Sequence, residues 1–216
     1  MPILTFIYIL SILVAFLSSL NSFRLDFPFH LRLFSCLLGL TLLVEVTAAV
    51  LAWGFHRSNN WVYNSFTLIE FWVYGYFFRS ILPGRTMQRL VLAFLVIFPI
   101  FWCITVFYIF GFTAWNSYVI IAGSFFSVLF CLLYYYRLLT AHEIRNLGSV
   151  PEFWIATGML IFYMAALPYF GSLNFLIQYH IKVAHNLLTV LQILDTLMYI
   201  IFSYGFLCRI RNTKKF

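Results

Sequence analysis

Charge is scarce in this chain of 216 residues: Asp, Glu, Lys and Arg together make up 9% of it, where a soluble domain carries roughly a quarter. So little polar surface cannot coat a water-soluble body, which excludes a soluble enzyme or binding domain. Lysine occurs only as Lys182, Lys214 and Lys215. None of the three falls in mid-helix, where a retinal pocket would need its attachment point. The cysteines, Cys36, Cys103, Cys131 and Cys208, lie inside apolar runs or at the end of one. With no pair in a polar loop and no CxxC spacing, neither a structural disulfide nor a zinc cage is expected. Catalytic signatures are missing as well: there is no GxSxG, no HExxH and no Gly-rich phosphate loop. His56, His180, His185 and Glu45 are the only set with metal-ligand chemistry, and His180 and His185 are five apart, on poorly aligned faces of a helix. The expectation is a non-enzymatic protein without metal or cofactor, an intramembrane hydrolase being the minor alternative.

What the chain has in abundance is apolar and aromatic residues, 64% and 22%, with a mean hydropathy of +0.97. A helix needs about 20 apolar residues to cross a bilayer core, and seven such runs occur, over 3–20, 33–53, 61–82, 90–112, 115–139, 153–170 and 183–208. The breaks carry turn chemistry: Asn21-Ser22, Arg57 to Asn60, Pro83-Gly84, Gly148 to Pro151 and Gly171-Ser172. No segment alternates with the period of two that a barrel strand requires. The expected fold is therefore all-α: one polytopic seven-transmembrane-helix bundle occupying 1–216. The first run lacks a basic leader and a small-residue cleavage site, so it reads as a retained helix.

The excess of positive charge, +7, is a topology signal and not one for nucleic acid. Arg24, Arg32, Arg79, Arg85, Arg89, Arg137, Arg145, Arg209, Arg211, Lys214 and Lys215 fall on one side of the bundle, against Arg57 and Lys182 on the other. The positive-inside rule then puts the C-terminus in the cytoplasm and the N-terminus outside. Trp53, Trp61 and Trp115 at outer helix ends and Trp154 at an inner end suit the headgroup layers. The basic tail touches anionic lipid.

Three of the six acids, Glu45, Glu70 and Asp195, sit in mid-span. At ~1.5 Å per residue their depths are roughly 12, 14 and 18 Å, one common level. No Lys or Arg in the central turns offsets them, and ionisable groups in mid-membrane mark function more often than in water. Helical spacing supplies their surroundings. Tyr63, Thr67, Glu70 and Tyr74 share a face of the third span, and Asn64 directly follows Tyr63. His185, Thr189, Gln192, Thr196, Tyr199 and Ser203 form a stripe on the seventh, with Asn186 beside it and Asp195 on its shoulder. Thr41, Glu45, Ala48 and Ala52 make a narrow face of the second, and Asn116, Gly123, Ser127 and Tyr134 one of the fifth. Pro168 is expected to kink the sixth and free a carbonyl. These stripes should converge inside the bundle. The candidate ligand- or proton-binding residues are Glu45, Glu70, Asp195, Asn64, Thr67, Tyr74, His185, Asn186, Thr189 and Gln192, and the ligand a small polar or cationic one. Interhelical hydrogen bonding is the competing role for each of them.

Two short self-similarities stand out. Ala48 to Gly54 matches Ala165 to Gly171, and Asn64 to Glu70 matches Asn186 to Gln192. They fit a parallel repeat of three helices, a linker helix and three more, or chance in a chain rich in Phe, Leu, Ile and Ala.

The runs Tyr63-Asn64 to Glu70-Phe71, Glu152 to Ile155 with Gly158, and His185-Asn186 resemble those of a bacterial family of small seven-helix membrane proteins, similar to the membrane-embedded sensory regions of some histidine kinases. That resemblance implies a sensing module whose signal a separate partner protein reads, since no output domain is expected in the eight residues after the last span. In layout alone the chain is similar to SWEET-type sugar transporters, without their Pro-Gln loop and most of their helix-breaking prolines. Two functions follow as expectations: solute transport, with proton coupling as one form of it, and ligand sensing. The bilayer is the expected surrounding; oligomeric state is not legible.

Overall fold

A computed structural model describes residues 3–24, 27–140 and 147–213, without the side chains of 174 and 209–213. Among the described residues there is no strand. The helices are α1 (Ile3–Ser19), the short α2 (Asn21–Arg24), α3 (Phe29–Ala49), α4 (Asn60–Ile81), α5 (Arg85–Ile104), α6 (Ser117–Thr140), α7 (Pro151–Tyr179) and α8 (Ile181–Thr213). Six helical segments are long and apolar enough to span a membrane: Ile3–Arg24, Phe29–Gly54, Arg85–Phe110, Ser117–Thr140, Pro151–Leu173 and Ile181–Cys208. They mark a multi-pass membrane protein. The third expected span, 61–82, is α4, 22 residues long, and it is not one of the six. Asn60, Asn64, Ser65, Thr67 and Glu70 lower its hydropathy.

Packing closes a ring. α1 contacts α8 and α3, α3 contacts α4, α4 contacts α6, α6 contacts α7, and α7 contacts α8, which returns to α1. α5 lies outside this ring against α4 and α6. Gly123 brings α6 onto α4, since a Cβ there would stand 2.3 Å from the Phe71 ring, and Gly158 does the same for α7 against Phe202 of α8 at 2.9 Å. Close backbone approach through small residues is the usual route to tight packing in lipid.

Two of the expected breaks fall within helical segments. Asn21-Ser22 lies in α2, inside the Ile3–Arg24 segment. Pro83-Gly84 does turn the chain between α4 and α5, Gly84 taking φ of +96°. Gly171-Ser172 does not: α7 runs on to Tyr179, nine residues past the expected end. The Ser172 hydroxyl donates to the Pro168 and Tyr169 carbonyls of its own helix (2.8 and 3.2 Å), so the pair that reads as a loop is held within helix. Pro168 likewise sits inside that unbroken helix. α7 then reverses into α8 at the single residue His180. One further feature is unanticipated. α3 and α5 both end in wide π-helical turns, Val50–Gly54 and Thr105–Phe110, a form that often marks functional sites.

The end of the bundle carrying Ile3, loops 55–59 and 111–116 and the His180 turn is here called upper. Among the described residues, Arg24, Arg32, Arg79, Arg85, Arg89 and Arg137 gather at the lower end, with Arg57 and Lys182 at the upper. Arg145, Lys214 and Lys215 lie outside the described residues, as do the side chains of Arg209 and Arg211.

The core is aromatic and is densest in the lower half. Phe34, Phe77, Phe78, Phe202 and Phe206 are fully buried, and the Phe34 ring stands 5.5 Å from Phe77 and 5.3 Å from Phe202. Polar groups of this half are satisfied locally. Ser22 and Ser35 hydroxyls bond at 2.8 Å, the Tyr135 and Thr157 hydroxyls at 2.7 Å, and His30 Nε2 meets Glu152 Oε1 at 3.0 Å.

Candidate functional site

The upper half holds a partly open cavity of about 410 Å³. Every helix of the ring lines it and α5 does not: Thr5 and Tyr8 of α1, Thr41 and Glu45 of α3, Tyr63, Phe66, Thr67, Glu70 and Phe71 of α4, Ile120 of α6, Phe162, Tyr163 and Phe170 of α7, and the face of α8 from Leu188 to Tyr199. Trp115, just before α6, completes the wall. Glu45, Glu70 and Asp195 thus reach one space from three helices, and among the described residues no Lys, Arg or His lines it. The three carboxylates share that wall with Tyr8, Tyr63, Tyr163 and Tyr199. They keep some accessible surface because they border the cavity, while protein encloses them otherwise.

Tyrosines serve the acids. The Tyr63 hydroxyl donates to Glu45 Oε2 at 3.1 Å. Those of Tyr74 and Tyr163 both donate to Glu70 Oε1, at 3.0 and 3.2 Å. Tyr8 lines the same wall, its ring 6.0 Å from that of Tyr199. Two polar atoms of the wall are enclosed without a hydrogen-bond partner, Asp195 Oδ1 and Trp115 Nε1. Each such orphan costs about 1–3 kcal/mol, a cost that folding alone gives no reason to keep. At the rim Gln192 Nε2 donates to Thr5 Oγ1 at 3.2 Å, tying α8 to α1. Below, Phe71 sits 5.6 Å from Tyr163 and 6.0 Å from Tyr74, ring centre to ring centre, and closes the floor.

Of the ten residues picked from the sequence, Glu45, Glu70, Asp195, Thr67 and Gln192 line the cavity. Tyr74 lies just beneath, reaching it through Glu70. Asn64 is elsewhere: its side-chain amide donates to the Phe112 and Ala114 carbonyls, both at 2.8 Å, and its backbone carbonyl accepts from Trp102 Nε1. It clamps the upper loop that follows the π-helical turn of α5, together with Asn116, whose amide donates to Thr105 Oγ1 at 2.9 Å. His185, Asn186 and Thr189 are exposed on the upper turns of α8. Only the upper part of the expected polar stripe, His185 and Thr189, faces away; Gln192 and Tyr199 of that stripe line the cavity beside the shoulder face of Leu188, Leu191, Asp195 and Met198. The spacing of polar residues identifies a face without saying which neighbour it meets, and apolar packing against α1 and α7 sets the rotation of α8. Trp115, expected at a headgroup layer, turns inwards between Tyr63 (6.0 Å) and Phe170 (6.2 Å).

Sequence reasoning missed the aromatic wall as part of the site. Tyr199 is four residues from Asp195 and Tyr63 seven from Glu70, so both carried a helical-spacing signal. Tyr8 and Tyr163 come from other helices and carried none. Among the described residues, no three His, Cys, Asp or Glu side chains gather closely enough to hold a metal ion. No protein-family model, curated protein or solved structure matches the chain.

Proposed function

We propose that the chain is a seven-span protein of the cytoplasmic membrane, upper end outside, that binds a small polar or cationic solute in the upper cavity and transports it. The carrying observation is the convergence of three carboxylates on one cavity that no basic side chain lines among the described residues. Such a set attracts cations and can exchange protons for them. A volume of about 410 Å³ lies within the range of roughly 300–1,000 Å³ typical of small-molecule sites. Ring closure by α4 supports counting it as the seventh span, since a helix of 22 residues extends about 33 Å. The gathering of arginines at the lower end supports the orientation. A partly open cavity in the upper half above a packed lower half matches one side of an alternating-access cycle.

One observation favours a second reading. The lower half is filled with buried rings, and a ligand that only shifts the helices needs no passage through them. With the resemblance of the Tyr63–Phe71 and Glu152–Ile155 segments to sensory regions, this supports ligand sensing through a separate partner. Flux into liposomes separates the two. A transporter moves the solute that stabilises it in a thermal-shift screen, and Glu70→Gln or Asp195→Asn abolishes that flux. A sensor shows the same stabilisation, lost in the same variants, and no flux. A screen in which neither variant alters any response to solute removes both readings.

A further inference from the structure

We infer that the ligand of the upper cavity is an aliphatic di- or polyamine, whose ammonium groups meet carboxylates on separate helices while its methylene stem lies along aromatic rings. This rests on the reading of the cavity as a solute site and narrows it to one chemical class.

Charge sign and number come first. Glu45, Glu70 and Asp195 face the same space, and among the described residues the lining includes no Lys, Arg or His, so an anion is repelled. With the acids ionised, a neutral polyol leaves all three carboxylates uncompensated and a monovalent cation leaves two, so that they must take up protons instead. In the low dielectric of a bundle interior that shortfall is far more costly than in water. Distribution comes second. The acids come from α3, α4 and α8 and, with the other described residues, form no triad that could hold a metal ion. A point cation is therefore poorly matched to them, whereas a chain of two or more ammonium groups spans separated partners. The surface between them comes third. The ring centres of Tyr8 and Tyr199 are 6.0 Å apart, those of Tyr63 and Trp115 also 6.0 Å, and Phe170 continues the wall 6.2 Å from Trp115. Such rings cover methylene groups and attract ammonium groups over their faces. Hydrogen bonding comes last. Asp195 Oδ1 has no donor, and the two tyrosine donors to Glu70 both use Oε1. The acids thus retain acceptor capacity, and an ammonium brings three N–H donors and no acceptor.

The test is calorimetric titration of the purified full-length protein in detergent with cadaverine, spermidine, n-pentylamine and 1,5-pentanediol. Magnesium chloride is titrated in parallel, all at one ionic strength. Cadaverine is expected to bind at least about tenfold more tightly than n-pentylamine, with spermidine as tight or tighter and the diol undetected. Glu70→Gln and Asp195→Asn should each narrow the gap between cadaverine and n-pentylamine. A thermal melt of each variant confirms folding, and should one fail to fold, the wild-type series decides alone. Equal binding of n-pentylamine or the diol, tighter binding of magnesium, or no binding of any amine overturns the inference. The broader reading falls separately. A monoamine or neutral metabolite whose stabilising effect disappears in Glu70→Gln leaves the solute site standing without the polyamine.

Discussion

Phe34 and Glu45 lie on the same helix, α3, about three turns apart, in opposite surroundings. Phe34 is fully buried, ringed by Tyr74, Phe77, Phe202 and Phe206. Glu45 borders a cavity with a tyrosine hydroxyl for a partner. The same contrast runs along α4, from Glu70 to Phe77, and along α8, from Asp195 to Phe202. Each helix carries a polar upper segment and an aromatic lower one, and the ring of helices brings like against like. The lower half maximises ring packing and leaves its few polar groups locally bonded. The upper half keeps empty volume, uncompensated acids and, in the cavity wall, two orphaned polar atoms. Stability should therefore reside below and ligand response above.

That division can be broken at several points. The largest expected effect is Phe34→Ala, which removes a fully buried ring and should cost about 3–5 kcal/mol. Reversible unfolding in detergent measures it, and a loss under about 1 kcal/mol would show that the lower half is not the stable half. Next comes Gly123→Ala. Its Cβ would stand 2.3 Å from Phe71, so the ring must move towards the cavity or the helices must part. A loss of about 1–3 kcal/mol is expected, together with weaker solute-induced stabilisation in a thermal shift. If stability falls and the response does not, Phe71 is not the floor of the site.

Asn64→Leu tests the clamp that holds the upper loop. Two carbonyls lose their donor, and a destabilisation of about 1–2 kcal/mol is expected, with faster proteolysis in loop 111–116 as the local readout. The smallest effect on stability is expected from Glu70→Gln, within about 1 kcal/mol of wild type. Replacing an uncompensated buried acid by its neutral isostere removes a desolvation cost along with a bonded group. Its melting temperature should barely move while the solute-induced shift disappears. A strongly destabilised Glu70→Gln protein would make that acid interhelical glue and collapse the contrast between the halves.

The legible part was large for the helices and uneven for the site. Boundaries such as 61–82 against Asn60–Ile81 and 115–139 against Ser117–Thr140 follow from apolar run length, which depends on the chain locally. Gly171-Ser172 misled because a turn signal is also local, and Ser172 bonds its own helix instead. Glu45, Glu70 and Asp195 were legible because an unmatched acid in an apolar run is conspicuous in one dimension. Asn64 was equally conspicuous and proved to be a loop clamp, because an amide has no charge to tell its partner in advance.

Composition and apolar run length were enough to establish an all-helical chain made for a membrane, and basic residues along it were enough to sort its loops into two groups. Both properties add up residue by residue, so no neighbour from a distant segment enters. Which face of α8 turns inwards, that α5 stands outside the ring, and that Tyr8 and Tyr163 join acids from other helices depend on the packing of side chains far apart in the chain. Those contacts carry no linear spacing, and it is they that turn three isolated carboxyl groups into the wall of one cavity.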